Sequence, residues 1–292
     1  MRSQSVSDLE GAPRRDLHAV LRRLLRARWQ RYRQELKACQ RQFSEDSVHE
    51  SRVAARRLLA TVELLANLTE TGALHRARRA LKRQLRLLAP LRDAQVRARQ
   101  AATLPAAWPD AQAFGEFLRQ RAQHAGRRAQ KGIARIQIKP LARLVRRFDA
   151  ALQERAHRGA GLGDYPTLLA TAARAHARTQ RARRRVDAAR PETIHRTRVA
   201  FKKFRYMVEL LAPLLPAALR RQRAALRRYQ GLMGDIQDAT LLLATATQFA
   251  GRRNSSPPIT RAVLREIERQ RAELILKYLE CADRLEAFWP GP

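Results

Sequence analysis

His49, Arg52 and Arg56 are spaced three and four residues apart, and so are His195, Arg198 and Lys202. On a helix that spacing stacks the three side chains on one face. Each column offers an imidazole and two cations, a donor set suited to phosphate oxygens. Arg57 flanks the first column; Lys203, Arg205 and Tyr206 flank the second. Among arginines an imidazole is pushed toward its neutral form, and a bound phosphate pulls it back toward the charged donor. The chain has no HExxH, no cysteine cluster and no His/carboxylate ligand spacing, so a metal site is not expected. It also lacks a GxxxxGK[ST] phosphate loop. Asp93 and Asp238 are lone carboxylates on basic faces and read as braces for arginines rather than general bases. Glu63 and Glu209 read the same way. The expectation is a binding protein with no catalytic residue and no cofactor.

Both columns belong to one repeated segment. "VHESRVAARRLLATVELLA" (48–66) matches "IHRTRVAFKKFRYMVELLA" (194–212), with His49 and His195 offset by 146. Further on, "LKRQLRLLAPLRDAQV" (81–96) matches "LRRYQGLMGDIQDATL" (226–241), with Asp93 and Asp238 offset by 145. A nearly constant offset over two helices implies duplication, and two copies are too few for a solenoid.

The elements that must carry these residues are helices. Hydrophobic residues make up 45% of the chain, mostly Leu and Ala, and aromatics only 5%. That mix favours helix over sheet. Apolar periodicity predicts helices over 14–42, 47–68, 74–103, 110–132 and 140–157, then 165–188, 192–212, a stretch reaching 250, and 259–288. Ser44 or Asp46 is a plausible N-cap. "RGAGLGDYP" (158–166) reads as the clearest linker. Residues 1–12 are polar and expected to be disordered. The division is therefore 13–158, including a connector helix over about 140–157, and 159–292. Each half reads as an antiparallel four-helix bundle, an all-α tandem pair. In the two matched helices Ser51, Ala54, Ala55, Leu58, Val62 and Leu65, and Ala200, Phe201, Phe204, Val208 and Leu211, form the core faces.

Three helices of each half also carry a basic stripe. In the first half these are Arg22, Arg26, Arg33 and Lys37, then Arg52 with Arg56, then Arg79, Lys82 and Arg86. The second half has Arg174, Arg178, Arg181 and Arg185, then Arg198 with Lys202, then Arg220, Arg223 and Arg227. Solvated faces normally mix signs, as "RAVLREIERQRAELILKYLE" (261–280) does. With 60 Lys+Arg against 26 Asp+Glu the net charge is +34, a self-repulsion that a polyanionic partner would offset. Cys39 and Cys281 make no disulfide framework. No secretory signal and no run of 18 apolar residues is present, so a cytoplasmic protein without a membrane span is expected.

"HESRVAARR" (49–57), the Lys202/Arg205/Tyr206 pattern in "HRTRVAFKKFRYMVE", Leu91–Val96 and Leu232–Ala239 together resemble the conserved histidine α-helical domain, or CHAD, family. The resemblance covers nearly the whole chain. It implies two four-helix bundles related by a pseudo-two-fold, with a central basic groove binding inorganic polyphosphate. It further implies association with polyphosphate granules and no catalytic activity. One departure is Ala89-Pro90, where the family often has a glycine; a changed helix end is expected there. The alternating Glu-x-Glu-x-Lys strand motif of the triphosphate-tunnel domain that often accompanies the family does not occur, so a stand-alone domain is expected. The rival reading is a basic architectural protein binding nucleic acid. Against it, no helix-turn-helix, RRM or KH motif and no aromatic stacking platform is present. Oligomeric state is not legible.

Overall fold

The computed structural model describes residues 17–68, 72–105, 107–251 and 261–289. Among them every regular element is a helix. The expected disorder of residues 1–12, part of the break expected at 69–73 and most of the loop expected at 251–258 lie outside the described residues.

The first half comprises α1 (Leu17–Arg41), α2 (Glu45–Leu65), α3 (Gly72–Ala101), α4 (Pro109–Ala134) and α5 (Ile138–His157). Ser44, not Asp46, starts α2. Its hydroxyl accepts from the Ser47 amide while the Ser47 hydroxyl accepts from the Ser44 amide, a reciprocal cap. Glu45 and Asp46 in the first turn complement the helix dipole. Pro90 does not end α3, which runs on to Ala101. The carbonyl deprived of its donor belongs to Arg86, an exposed position where water can serve it.

The glycine-rich linker contracts to a cap. Gly159 adopts φ 69°, and the Gly159 and Ala160 amides donate to the Ala156 and Arg155 carbonyls, both at 3.1 Å. This is a Schellman ending of α5. Helix α6 (Gly161–Arg183) begins at once, with Gly163 and Pro166 inside it, earlier than the expected start at 165. Then come α7 (Pro191–Leu211) and a 3-10 turn at Ala212–Leu214. The stretch expected to run unbroken to 250 divides into the short α8 (Ala217–Arg221) and α9 (Arg223–Ala250), separated at Gln222. Helix α10 (Arg261–Cys281) passes into a 3-10 segment, Ala282–Phe288.

Consecutive helices pack in series: α1 on α2, α2 on α3 and α3 on α4; α6 on α7, α7 on α9 and α9 on α10. Helix α5 folds back over α1 and α3. The halves meet where α2 packs on α7, α3 on α9 and α1 on α6. All six apolar positions expected on α2 are buried; on α7 Phe201, Phe204, Val208 and Leu211 are buried and Ala200 half-buried. The main apolar cluster is continuous from Leu17 to Trp289 and spans both halves. A second one, with Phe114, Leu118, Phe249 and Ile267, ties the ends of α3 and α4 to α9 and α10. There Phe117 and Phe249 approach to 4.8 Å between ring centres. The large shared core keeps the contact between the halves in place.

Candidate functional site

The α2–α7 contact gathers the two columns into one cluster. Arg52 and Arg56 on α2 stand close enough to Lys202 on α7 to lower it, and Arg56 acts likewise on Arg198. Their bulk is half-buried because the helices beneath them pack into the shared core. Burial followed by repulsion from Arg56 lowers Arg52 to about 10, with Asp93 opposing. Burial also lowers Arg198; Asp238 and Asp235 oppose this and Arg56 adds to it. Lys202 shifts furthest. Burial, then Arg56, Arg198, Arg52 and Arg205, lower it from 10.5 to about 7.

Three polar atoms in this cluster are buried without a protein partner: Arg52 Nη1, Arg198 Nε and His195 Nδ1. A buried unsatisfied donor is costly, so this cluster holds hydrogen-bonding capacity in reserve. His195 is lowered by burial first and by Arg198, while Gln237 opposes. Arg198 lies against Gly234 on α9, where an added Cβ would sit 3.6 Å from Nε. Burial raises the Asp238 carboxyl, against the pull of Arg198 and Arg92. Asp238 thus lies near Arg198 without a hydrogen bond to its Nε.

Other expected residues have different settings. Arg205 is buried and committed: it donates to Gln230 at 2.7 Å, is paired with Glu209, and lies 4.4 Å from the Tyr206 ring centre. Tyr206 in turn faces Arg198. Lys82 and Arg78 both pair with Glu63, at 3.1 and 2.9 Å. His49, Arg57, Lys203, Arg79 and Arg86 are exposed, as are Arg174, Arg178, Arg181 and Arg185. Arg174 donates to Thr171. Arg220 is on α8, out of line with Arg223 and Arg227 on α9.

The α1 stripe faces elsewhere. Arg22 and Arg26 both hold Asp149 of α5, with contacts of 2.7–3.2 Å, and Arg22 also donates to Gln153. Arg33 leans on the Trp29 ring. The α1 cation that faces the α2–α7 cluster is Arg28, lowered by burial, Arg57 and Arg223 with Glu209 opposing. It points roughly 120–160° around the helix from Arg22 and Arg26. On α3 the corresponding residue is Arg92, lowered by burial and Arg99, and facing Asp238 and Arg56. Sequence reasoning missed both. The signal was present in the repeat: Arg28 precedes Arg174 by 146 and Arg92 precedes Gln237 by 145.

Among the described residues no group of three or more His, Cys, Asp or Glu side chains could hold a metal, and no helix is long and apolar enough to cross a membrane. Both cysteines are free thiols.

Fold and site define a class: an all-helical protein with a half-buried cation cluster where its two halves meet. The chain belongs to the CHAD domain family, whose model matches residues 23–247. The fold is similar to the crystal structure of the CHAD domain from the plant Ricinus communis, with TM-score 0.64 and 17% identity over 98% of this chain and 93% of that one. It is also similar to PptA from Streptomyces chartreusis, with TM-score 0.62 and 17% identity over 94% of this chain and 99% of that one. No curated protein matches the sequence.

Proposed function

We propose that this protein binds inorganic polyphosphate in a basic groove centred on Arg52, Arg56, His195, Arg198 and Lys202, without catalysing a reaction on it. The observation carrying the proposal is the pair of buried, unpartnered guanidinium donors on Arg52 and Arg198, beside His195, amid mutually repelling cations. A chain of phosphates supplies what the free protein lacks: acceptors for those donors and negative charge for the cluster. A linear polymer adds avidity, because each further phosphate binds intramolecularly. Membership in the CHAD family supports polyphosphate over other polyanions, and the proposal extends to association with cytoplasmic polyphosphate granules.

The cation cluster also supports the reading of the chain as two duplicated four-helix bundles about a pseudo-two-fold. Arg52 interacts with Lys202, and Arg56 with Arg198. Exchange of each residue for its counterpart 146 positions away converts one pair into the other. That reciprocity is the signature of a two-fold contact.

Titration with long-chain polyphosphate tests the proposal. Arg52→Gln with Arg198→Gln is expected to weaken binding at least tenfold with helicity unchanged. Wild-type affinity in that double variant overturns it. Phosphate release from polyphosphate by the purified protein with Mg²⁺ would instead establish an enzyme.

A further inference from the structure

A second basic surface lies away from the central cluster. From Phe117 to Phe148 the chain has no acidic residue. On α4 and the turn after it, Arg127, Arg128, Lys131 and Arg135 are all exposed. On α5, Lys139, Arg143, Arg146 and Arg147 are all exposed as well. At 100° per residue each set of four falls within an arc of roughly 100°. On α5 that arc is opposite Leu141, Val145, Phe148 and Leu152, which the core buries. None of the eight cations has an ion-pair partner among the described residues, whereas their neighbours Arg119 and Arg155 do.

Tertiary contacts hold the turn that joins the two sets. The Gln40 amide donates to the Ile133 and Ile136 carbonyls, both at 3.0 Å, pinning the α4–α5 turn to α1. The Asp149 pairs dock α5 on the side of α1 turned away from Arg28. Helix α10, which closes the second half as α4 follows α3 in the first, mixes Glu266, Glu268 and Glu273 among its arginines. A solvated face normally mixes signs in that way.

We infer that the α4–α5 face docks the phosphate backbone of duplex nucleic acid, independently of base sequence and of the central cluster. Charge complementarity selects a polyanion. Six of the eight cations are arginines, whose forked guanidinium suits phosphodiester oxygens. The large exposed hydrophobics, Val199, Leu241 and Leu276, are on other helices, so this face has nothing to insert into a bilayer. It also lacks the half-buried donors that the central cluster presents to a flexible chain. The inference goes beyond polyphosphate binding and does not depend on it.

The experiment measures full-length protein against a labelled duplex of about 30 base pairs by fluorescence anisotropy at several salt concentrations. Lys139→Gln, Arg143→Gln, Arg146→Gln and Arg147→Gln together are expected to reduce the slope of log K against log salt by about 3 to 4, near 0.9 for each lost phosphate contact. Affinity at 0.1 M salt should fall at least tenfold, with polyphosphate affinity held within about twofold. Wild-type protein carrying one equivalent of polyphosphate should still bind the duplex, a measurement that needs no variant to fold. An unchanged slope overturns the inference. So does displacement of polyphosphate by duplex, which marks one shared site, or a face that binds phosphatidylglycerol vesicles but not duplex. Loss of polyphosphate binding in the Arg52/Arg198 variant with duplex binding intact separates the two sites.

Discussion

Under the proposed function, Lys202 is expected to tie polyphosphate affinity to pH. In the free protein burial and four neighbouring arginines hold it near 7. His195 shares its helix, and Asp238 faces the adjoining Arg198 from α9. A bound phosphate chain restores Lys202 toward its ordinary value of 10.5, so binding takes up a proton above pH 7. At pH 8 the free side chain is about one-tenth protonated, and the complex gains about 0.9 proton. From pH 6 to pH 9 affinity should fall by up to about 100-fold, or ~2.7 kcal/mol. Calorimetric titration in buffers of different ionisation enthalpy reads the proton count directly, and long polymer chains keep end-group titration negligible. Lys202→Met should remove the proton uptake at pH 8. Lys202→Arg should remove it and keep tight binding, since Arg stays charged. An uptake at pH 8 equal in wild type and Lys202→Met refutes the reasoning. In the free protein the same shift has a stability consequence. The native state binds fewer protons than the unfolded state between about 7 and 10.5, so this group's contribution to stability increases with pH across that window.

Other perturbations test the frame around the cluster. Arg52→Gln relieves repulsion and an orphaned donor, so thermal unfolding of the free protein should move up by about 2 °C, for ~1 kcal/mol, while polyphosphate protection falls. Glu209→Gln strands the buried Arg205 guanidinium and should cost about 3 kcal/mol in denaturant unfolding. Asp164 accepts from Arg155 and contacts His18 at 2.7 Å; burial opposes its ionisation, but these partners outweigh it and lower its carboxyl. Its contribution is complete above the ordinary carboxylate value and is lost as pH falls through the lowered one, so Asp164→Asn should flatten the acid limb of a stability–pH profile. At Gly132 an added Cβ meets Leu87 Cδ1 at 2.5 Å, and Gly132→Ala should cost about 1–3 kcal/mol by thermal or chemical denaturation.

Local patterns made much of this molecule legible. Leucine and alanine periodicity located α3, α4, α5 and α7 to within two residues at each end, because burial of one stripe is what stabilises a helix in a protein. The offset between His49 and His195 aligned Arg52 with Arg198 and Arg56 with Lys202, and packing of α2 on α7 brought the four together. The linker was less legible. A run with three glycines carries the same composition whether it spans a gap or caps a helix, and the Schellman bonds of Gly159 and Ala160 exist only once α5 and α6 are placed.

By itself, the amino-acid sequence determined the helical class, the family, the repeat and the excess of positive charge. Each of these is written in residue type and spacing. Only the tertiary structure decided which positive charges converge. An amphipathic phase says which way a helix turns from its own core, not which neighbour covers the remaining surface. On α1 that neighbour is α5: Asp149 draws Arg22 and Arg26 outward and leaves Arg28 facing the second half. On α3, Arg92 joins the cluster because α9 brings Asp238 to it. Charge density is a property of the chain, but the desolvation that sharpens it at Arg52, Arg198 and Lys202 arises only where two halves close over the same site.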